Sequence, residues 1–338
     1  MSVLTDESWL NFLPSRVRSI LLSHTPEMRR AWQEIRLRPD QPVLVVSAAG
    51  EIWLDLFGAS GATSNLVTIE DLQTAFQLMT QHSVYALEEE LRRGFITLPG
   101  GHRFGFTGHA VLENGHIRLL RQVSSLNLRL AKAVPGVGRA VLPFLAVNGR
   151  LLPTLILSPP RCGKTTLLRD LIRLASTGVP SLSLPGLQVS LVDERSEVAG
   201  TYMGQPQLDL GPRIDVLDGA PKAEGMLLML RAMSPEILAT DEIGCPEDAV
   251  AIAEAAKAGV AILTTAHASS PEEAVCRPIL AQLLAGGYFQ RLVALDASQG
   301  PGTIKGIYEP SQRRNEVNGC SGSWVPCSSW RARAVSAI

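Results

Sequence analysis

Up to about residue 150 the apolar positions of this chain switch back and forth between helical and strand spacing. Trp9, Leu10, Phe12 and Leu13, then Val17, Ile20, Leu21 and Leu22, recur at helical intervals within 8–31. The stretch AWQEIRLRPDQPVLVVSAAGEIWLDL alternates as paired strands do, with Gly50 in a turn. Helical spacing returns over 69–93 through Leu72, Phe76, Leu78 and Met79. A hairpin is then expected around Asn114-Gly115 within GGHRFGFTGHAVLENGHIRLLRQVSSLNLRL. Pro135, Gly136, Gly138, Pro143 and Asn148-Gly149 punctuate the next stretch and place a domain boundary near residue 150.

Beyond that point short apolar runs alternate with helical patterns, the signature of a parallel sheet. Strands are expected at 154–158, 188–193, 236–241 and 260–266, and helices at 164–176, 223–233, 246–258 and 271–285. A terminal hairpin over 291–309 turns at Gln299-Gly300-Pro301-Gly302. The expected organisation is an N-terminal α/β domain (1–150), a larger domain with a parallel sheet (151–310) and a flexible tail (311–338). The glycine-rich stretch 200–226 is too long for a plain connector and is expected to line a subunit interface or a pore.

Composition narrows the class. With 46% hydrophobic residues and a net charge of −1, the chain can bury cores and has no bulk attraction for nucleic acid or anionic membrane. The start MSVLTDESWLNFLPSRV lacks the basic and apolar regions of a signal peptide. No apolar run reaches the roughly 18–20 residues of a membrane helix. The five cysteines, at 162, 245, 276, 320 and 327, form no C-x-x-C pair. A reduced, cytoplasmic protein is expected.

The strongest chemical signal is TLILSPPRCGKTTLLRDLIRLAS. Leu155-Ile156-Leu157 reads as a buried strand, and Leu167, Leu168, Leu171, Ile172 and Leu174 share one helical face. Between them Ser158-Pro159-Pro160-Arg161-Cys162-Gly163-Lys164-Thr165 matches the phosphate-loop pattern G-x-x-x-x-G-K-[ST], except that Ser158 replaces the leading glycine. Two prolines remove two amide donors, so Cys162, Gly163, Lys164, Thr165 and Thr166 must form the cradle. Lys164 would reach the outer phosphates of ATP, and Thr165 would ligate Mg2+.

Acids complete the constellation. In PEILATDEIG a buried strand ends in Asp241-Glu242, at the carboxyl edge where such sheets bind ligands. Asp241 is expected to hold the metal and Glu242 to polarise the attacking water. QVSLVDERSE supplies a second acidic strand end, Asp193-Glu194, with Glu194 the alternative base. VAILTTAHAS ends in Thr264, Thr265 and His267, where His267 would sense the outer phosphate. A phosphoryl-transfer site also gains from an arginine, often supplied by a neighbouring subunit. The phosphate-loop domain offers few free candidates by sequence, whereas the N-terminal hairpin carries Arg103, Arg118, Arg121 and Arg129.

SPPRCGKTTLLRDLIR, VDERSEVAGTY, DVLDGAPKAEGMLLMLRAMSPEILATDEIG and LTTAHASS, with EIRLRPDQP, LPGGHRFGFTGHAV and RQVSSLNLRLAK, resemble the stage III sporulation protein AA family over roughly 30–310. That family is similar to the secretion and pilus-motor ATPases. The resemblance implies a RecA-like P-loop core, ATP and Mg2+ as cofactors, and a homo-oligomeric, hexameric ring. It further implies peripheral association with a mother-cell-to-forespore membrane channel, while the near-neutral charge argues against a nucleic-acid partner. The acidic, second nucleotide-binding and histidine boxes of those ATPases look like Asp193-Glu194, Arg231–Glu242 and Thr264–His267 here. The N-terminal domain of one subunit would face the nucleotide of the next, so that Arg121 or Arg129 would complete the neighbour's site; the alternative is that all four arginines are solvated strand residues. Two other classes stay open on the residues alone: a DNA-acting ATPase of recombinase type, and a nucleotide-gated assembly protein with little hydrolysis.

Overall fold

The computed structural model describes residues 7–54, 66–80, 94–113, 115–310 and 330–333. They form two compact units. The first takes the chain up to Lys132 together with Gly200–Leu208, and the second takes Ala133–Ala199 and the chain from Asp209 onward.

In the first unit a 3-10 turn (Ser8–Phe12) precedes α1 (Ser15–Leu22) and α2 (Pro26–Ala31). Thr25 starts α2 by accepting a hydrogen bond from the Met28 amide at 3.4 Å, with Pro26 at the first helical position. Strands β1 (Trp32–Leu37), β2 (Val43–Ser47) and β3 (Gly50–Leu54) follow, then α3 (Ile69–Thr80), β4 (Phe95–Thr97), β5 (Arg103–Glu113) and β6 (His116–Arg129). The strands pair antiparallel in the order β3-β2-β1-β6-β5-β4. Trp32, Ile35, Leu37, Phe104, Leu126 and Leu128 bury one face of this sheet with Val17, Leu21 and Leu72 from the helices. The hairpin expected at Asn114-Gly115 forms, with Glu113 opposite His116 and Gly115 at φ +79°. Asn114 itself lies outside the described residues, as do positions 81–93 of the helical stretch.

The second unit opens with α4 (Leu142–Leu145) and the small pair β7 (Ala146–Val147) and β8 (Arg150–Leu151). It continues through β9 (Thr154–Ser158), α5 (Lys164–Thr177), β10 (Val189–Asp193), β11 (Ile214–Asp218), α6 (Lys222–Met233) and β12 (Ile237–Thr240). Then come α7 (Pro246–Lys257), β13 (Ala261–His267), α8 (Pro271–Val275), α9 (Pro278–Ala285), β14 (Arg291–Asp296), β15 (Thr303–Pro310) and β16 (Trp330–Arg333). The eight-stranded sheet runs β11-β10-β12-β13-β9-β14-β15-β16. Its first six strands are parallel, and β14, β15 and β16 pair antiparallel. Both faces are covered, as parallel sheets require. Ile156, Leu191, Ala239 and Leu263 pack on α5, and Leu157, Val192, Leu238 and Ile262 pack with side chains of α6, α7 and α9.

Four expectations need correction. The division of the chain falls at Lys132/Ala133, ahead of residue 150. The reason is Asp170 of α5, whose buried carboxylate accepts the amides of Gly136 at 2.9 Å and Gly138 at 2.7 Å and binds Arg173. Those bonds draw the Pro/Gly-punctuated segment onto the second unit. The stretch 200–226 is not one long loop: Gly200–Leu208 packs with the first unit, β11 is a strand, and α6 starts at Lys222. The helix expected over 271–285 breaks in two at Pro278, which has no amide to donate. Within the expected tail, residues 330–333 extend the sheet as β16, whereas 311–329 and 334–338 lie outside the described residues. Among the described residues no helix is long and apolar enough to cross a membrane.

Replacing Asp170 by alanine leaves two amides, that of Gly138 buried, and an arginine without their acceptor. Lost charge-assisted bonds of this kind cost about 2–4 kcal/mol. Urea unfolding of Asp170→Ala should therefore show that loss. A change within about 0.5 kcal/mol, the size of an ordinary surface substitution, would mean that Asp170 does not hold the 133–141 segment.

Candidate functional site

The order of the parallel strands decides which side chains meet. β13 lies between β9 and β12, with His267 in register with Ser158 and Thr264 with Thr240. The carboxyl ends of these strands therefore bring the loop after β9, the acids after β12 and the end of β13 to one edge.

The loop expected to bind phosphate is a tight turn from β9 into α5. Gly163 sits at φ +84°, and a Cβ there would come within 3.0 Å of the Gly302 amide nitrogen. Glycine is needed at this position both for the left-handed backbone and for lack of room. The Gly302 amide donates to the Cys162 carbonyl at 3.0 Å, so the β14–β15 turn braces the loop. Ser158 is fully buried, and its hydroxyl donates to the Pro159 carbonyl at 2.7 Å. The side chain that replaces the leading glycine is thus folded against the loop's own backbone. Pro160 and Arg161 are exposed and Cys162 is buried, whereas Thr165 and Thr166 are half-buried in the first turn of α5.

Lys164 is buried, with its Nζ 3.1 Å from Nδ1 of His267. Burial lowers its pKa, and the carboxylates of Glu242 and Asp241 oppose that shift. An ammonium only donates, so Nδ1 accepts and the imidazole proton resides on Nε2. That nitrogen is 3.0 Å from Glu242 Oε1. Thr165 Oγ1 donates to Asp241 Oδ2 at 2.7 Å, and the Thr265 hydroxyl donates to Asp241 Oδ1. Thr265 also accepts the Glu242 amide at 2.9 Å. Strand alternation turns Thr264 the other way, into the interior.

The second acidic strand end divides its labour. Asp193 is only 2% exposed and accepts three amides, from Glu197, Val198 and Ala199. Burial nonetheless pushes its pKa up to about 6. Arg169 of α5 is also buried and donates to the carbonyls of Val198 and Glu197 at 2.6 and 2.7 Å. Asp193 thus shapes the turn, while Glu194 and Arg195 project from it. Glu194 lies 3.3 Å from Lys222, and Arg195 lies 3.7 Å from Glu242. Two cations near the acids, Lys222 and Arg195, were missed by sequence reasoning. Arg195 is an arginine of the phosphate-loop domain at this edge, already facing Glu242. Only the position of Arg195 two residues past a strand-end acid could have signalled it, and Lys222 carries no motif.

The arginines of the first unit are distinguishable. Arg103 stacks on the Phe95 ring at 4.0 Å, and Arg129 lies 3.6 Å from Glu34 Oε1. Arg121 is exposed on β6 beside a bulge opposite Gly108. The side chain of Arg118 lies outside the described residues.

Asp193 gives a test of the balance between burial and its amide bonds. Between about pH 4 and pH 6 the folded chain holds a proton on Asp193 that the unfolded chain has released. This group therefore makes stability fall as pH rises through that window. The Asp193 carboxyl-carbon resonance should titrate with a midpoint near 6. A midpoint in the ordinary aspartate range, about 4 or below, would show that the amide bonds outweigh burial.

Known proteins similar to this chain identify its family and fold. The chain is 42% identical over 300 residues to stage III sporulation protein AA of Bacillus subtilis, covering 88% of this chain and 93% of that protein. Among solved structures it is similar to the Legionella pneumophila ATPase DotB, with a TM-score of 0.55 and 16% identity, over 84% of this chain and 76% of that one. It is also similar to the pilus retraction motor PilT with bound ADP, at a TM-score of 0.52 and 14% identity, over 79% and 76% of the two chains. These likenesses establish the RecA-like fold of the secretion and pilus ATPases. The family described as "Sporulation stage III, protein AA" matches residues 5–315, and the chain belongs to that family.

Proposed function

We propose that this chain is a magnesium-dependent ATPase that works as a ring-forming motor of the secretion-ATPase type, associated peripherally with a mother-cell-to-forespore channel. The observation that carries the reading is a continuous chain of contacts. It runs from Lys164 through His267 to Glu242, beside the Thr165–Asp241 pair, all at the carboxyl edge of adjacent parallel strands.

The residues present fit a magnesium nucleotide. Thr165 Oγ1 and Asp241 Oδ2 are hard oxygens 2.7 Å apart, the donor type Mg2+ prefers. Among the described residues no group of three or more His, Cys, Asp or Glu forms a metal site. A cation held by one hydroxyl, one carboxylate and the phosphates themselves needs no such group. Gly163 lets the loop backbone turn close to an anion, and the amides from Gly163 to Thr166 open α5. The bound nucleotide supplies the phosphoryl group and its metal.

The side chains then have separate tasks. Lys164 keeps N–H donors beyond the one given to His267 and neutralises the outer phosphates. Asp241 fixes Thr165 and Thr265. Glu242 orients and polarises the attacking water, and the His267 Nε2 proton holds its Oε1 in place. His267 touches both Lys164 and Glu242, so it couples the phosphate-binding and water-activating halves. The neighbouring subunit is proposed to add an arginine. Of the two candidates, Arg121 is the more available because Arg129 already faces Glu34.

Substitutions separate these tasks. Lys164→Ala should lose affinity for a fluorescent ATP analogue, because the phosphates lose their charged partner. Unchanged binding would remove the phosphate-loop assignment. Glu242→Gln should bind the analogue normally and lose at least roughly a hundredfold in turnover, the usual contribution of such a base. Wild-type turnover in that variant would shift the base to Glu194.

Assembly supplies a further check. Specific ATPase activity should rise with protein concentration and ignore added DNA. Mixing Lys164→Ala subunits with Arg121→Ala subunits should recover activity, since mixed rings contain intact interfaces. Activity independent of concentration, with no recovery on mixing, would place the whole site within one chain. Stimulation by DNA would favour the recombinase-type reading.

A further inference from the structure

Glu242 occupies an unusual point of the backbone. Its φ is +50°, a left-handed conformation that a residue with a Cβ keeps only when its surroundings enforce it. Two hydrogen bonds flank it. The Glu242 amide donates to Thr265 Oγ1 at 2.9 Å, and the Glu242 carbonyl accepts from Lys222 Nζ at 2.6 Å.

Lys222 is the first residue of α6, and its side chain is only 14% exposed. Its ammonium has a second partner, Glu194 Oε2, at 3.3 Å. Glu194 projects from the turn that Asp193 fixes through the amides of Glu197, Val198 and Ala199. A connected path therefore runs from the end of β10 through Glu194 and Lys222 to the carbonyl of Glu242. The 2.6 Å bond from the Lys222 ammonium to the Glu242 carbonyl is charge-assisted, the stronger kind.

We infer that Lys222 is a positioning residue for Glu242, and that Glu194 is the anchor of Lys222 and not a second base. The inference rests on the ATPase reading. With its amide bound on one side and its carbonyl on the other, Glu242 has both flanking peptide planes fixed. Its carboxylate then leaves the backbone toward His267 Nε2, 3.0 Å away. With the Lys222 bond removed, the right-handed conformation becomes accessible, and that rotation carries the carboxylate away from the imidazole. Two other roles make different predictions. If Lys222 were a phosphate ligand, its loss would weaken nucleotide binding. If Glu194 were the base, its amide would abolish turnover whatever occupied position 222.

The test uses the full chain as wild type, Lys222→Met, Lys222→Arg, Glu194→Gln, the double variant Lys222→Met/Glu194→Gln, and Glu242→Gln. Steady-state ATP hydrolysis and binding of a fluorescent ATP analogue are measured for each. Lys222→Met should lower kcat roughly ten- to a hundredfold, the cost of a misplaced catalytic group. Its affinity for the analogue should stay within about twofold of wild type. Lys222→Arg, which keeps charge and donors, should regain part of the loss. Glu194→Gln should cost less than Lys222→Met and add nothing to it in the double variant, as expected for two residues acting through one contact. Should Lys222→Met fail to fold, the isosteric Glu194→Gln carries the test. It must lower kcat at unchanged analogue affinity while staying above Glu242→Gln. Three results would overturn the proposal: analogue affinity lost in Lys222→Met, Glu194→Gln as inactive as Glu242→Gln, or wild-type kcat in a folded Lys222→Met (in Glu194→Gln, where Lys222→Met does not fold). A wild-type chain that binds the analogue but shows no hydrolysis at any concentration overturns the ATPase reading itself, and is distinguished by that control alone.

Discussion

The carboxylate of Asp241 is the joint on which the site depends. One oxygen takes the hydroxyl of Thr165 from the first turn of α5, and the other takes the hydroxyl of Thr265 from β13. A helix and a strand that come after different loops are thereby tied to the end of β12. The sheet order makes this geometry available, because β13 separates β12 from β9 by one strand. Thr265 in turn accepts the amide of Glu242, so the same joint helps set the backbone of the neighbouring acid.

Around that joint, burial and charge work against each other. Lys164 loses hydration and is compensated by Glu242 and Asp241. Arg169 is pushed down by burial, and Asp193 is the first charge opposing that shift. Asp193 is itself pushed up, and three amides compensate only in part. Lys164 and Arg169 are held by oppositely charged or dipolar groups on other elements, and Asp193 by the amides of the turn that follows it, the usual condition for keeping charges out of water. Removing one partner therefore leaves an uncompensated charge, which costs more than the contact alone. For Lys164 the cost falls on residues distant in sequence, Asp241 and Glu242.

Most of the second unit was legible because its elements obey strong local rules. Leu155-Ile156-Leu157 and the leucine face of α5 report their own burial, and all of them are buried. That Asp241, Glu242 and His267 come together was legible because parallel strands deliver their carboxyl ends to one edge. β11 escaped notice because it is a half-buried edge strand whose sequence, IDVLD, carries two acids and comes after a glycine-rich stretch. β16 could not be read at all: its four residues pair only with β15, and no local period marks them. Lys222 was invisible for a different reason. A lysine opening a helix looks solvated until β11 and β12 bring its ammonium beside Glu194 and the Glu242 carbonyl. The break between α8 and α9 at Pro278 was readable and outweighed by apolar periodicity.

The segment Gly200–Leu208 gives the chain an unusual modularity. It leaves the second unit just after the Asp193 turn, packs with the first, and returns at Asp209. There Gly101 approaches Gly200 so closely that a Cβ on Gly101 would be 3.4 Å from the Gly200 backbone, and Gln207 Oε1 accepts the Gly100 amide at 3.0 Å. The N-terminal unit is therefore not a contiguous cassette. A gene fusion or domain shuffle with its breakpoint at Lys132 would carry away its sheet but leave behind the piece that closes its Pro99–Gly101 turn. Inheritance of the two units is tied together by topology, so substitutions at Gly101 and Gly200 must be accommodated jointly although the two glycines stand far apart in the chain.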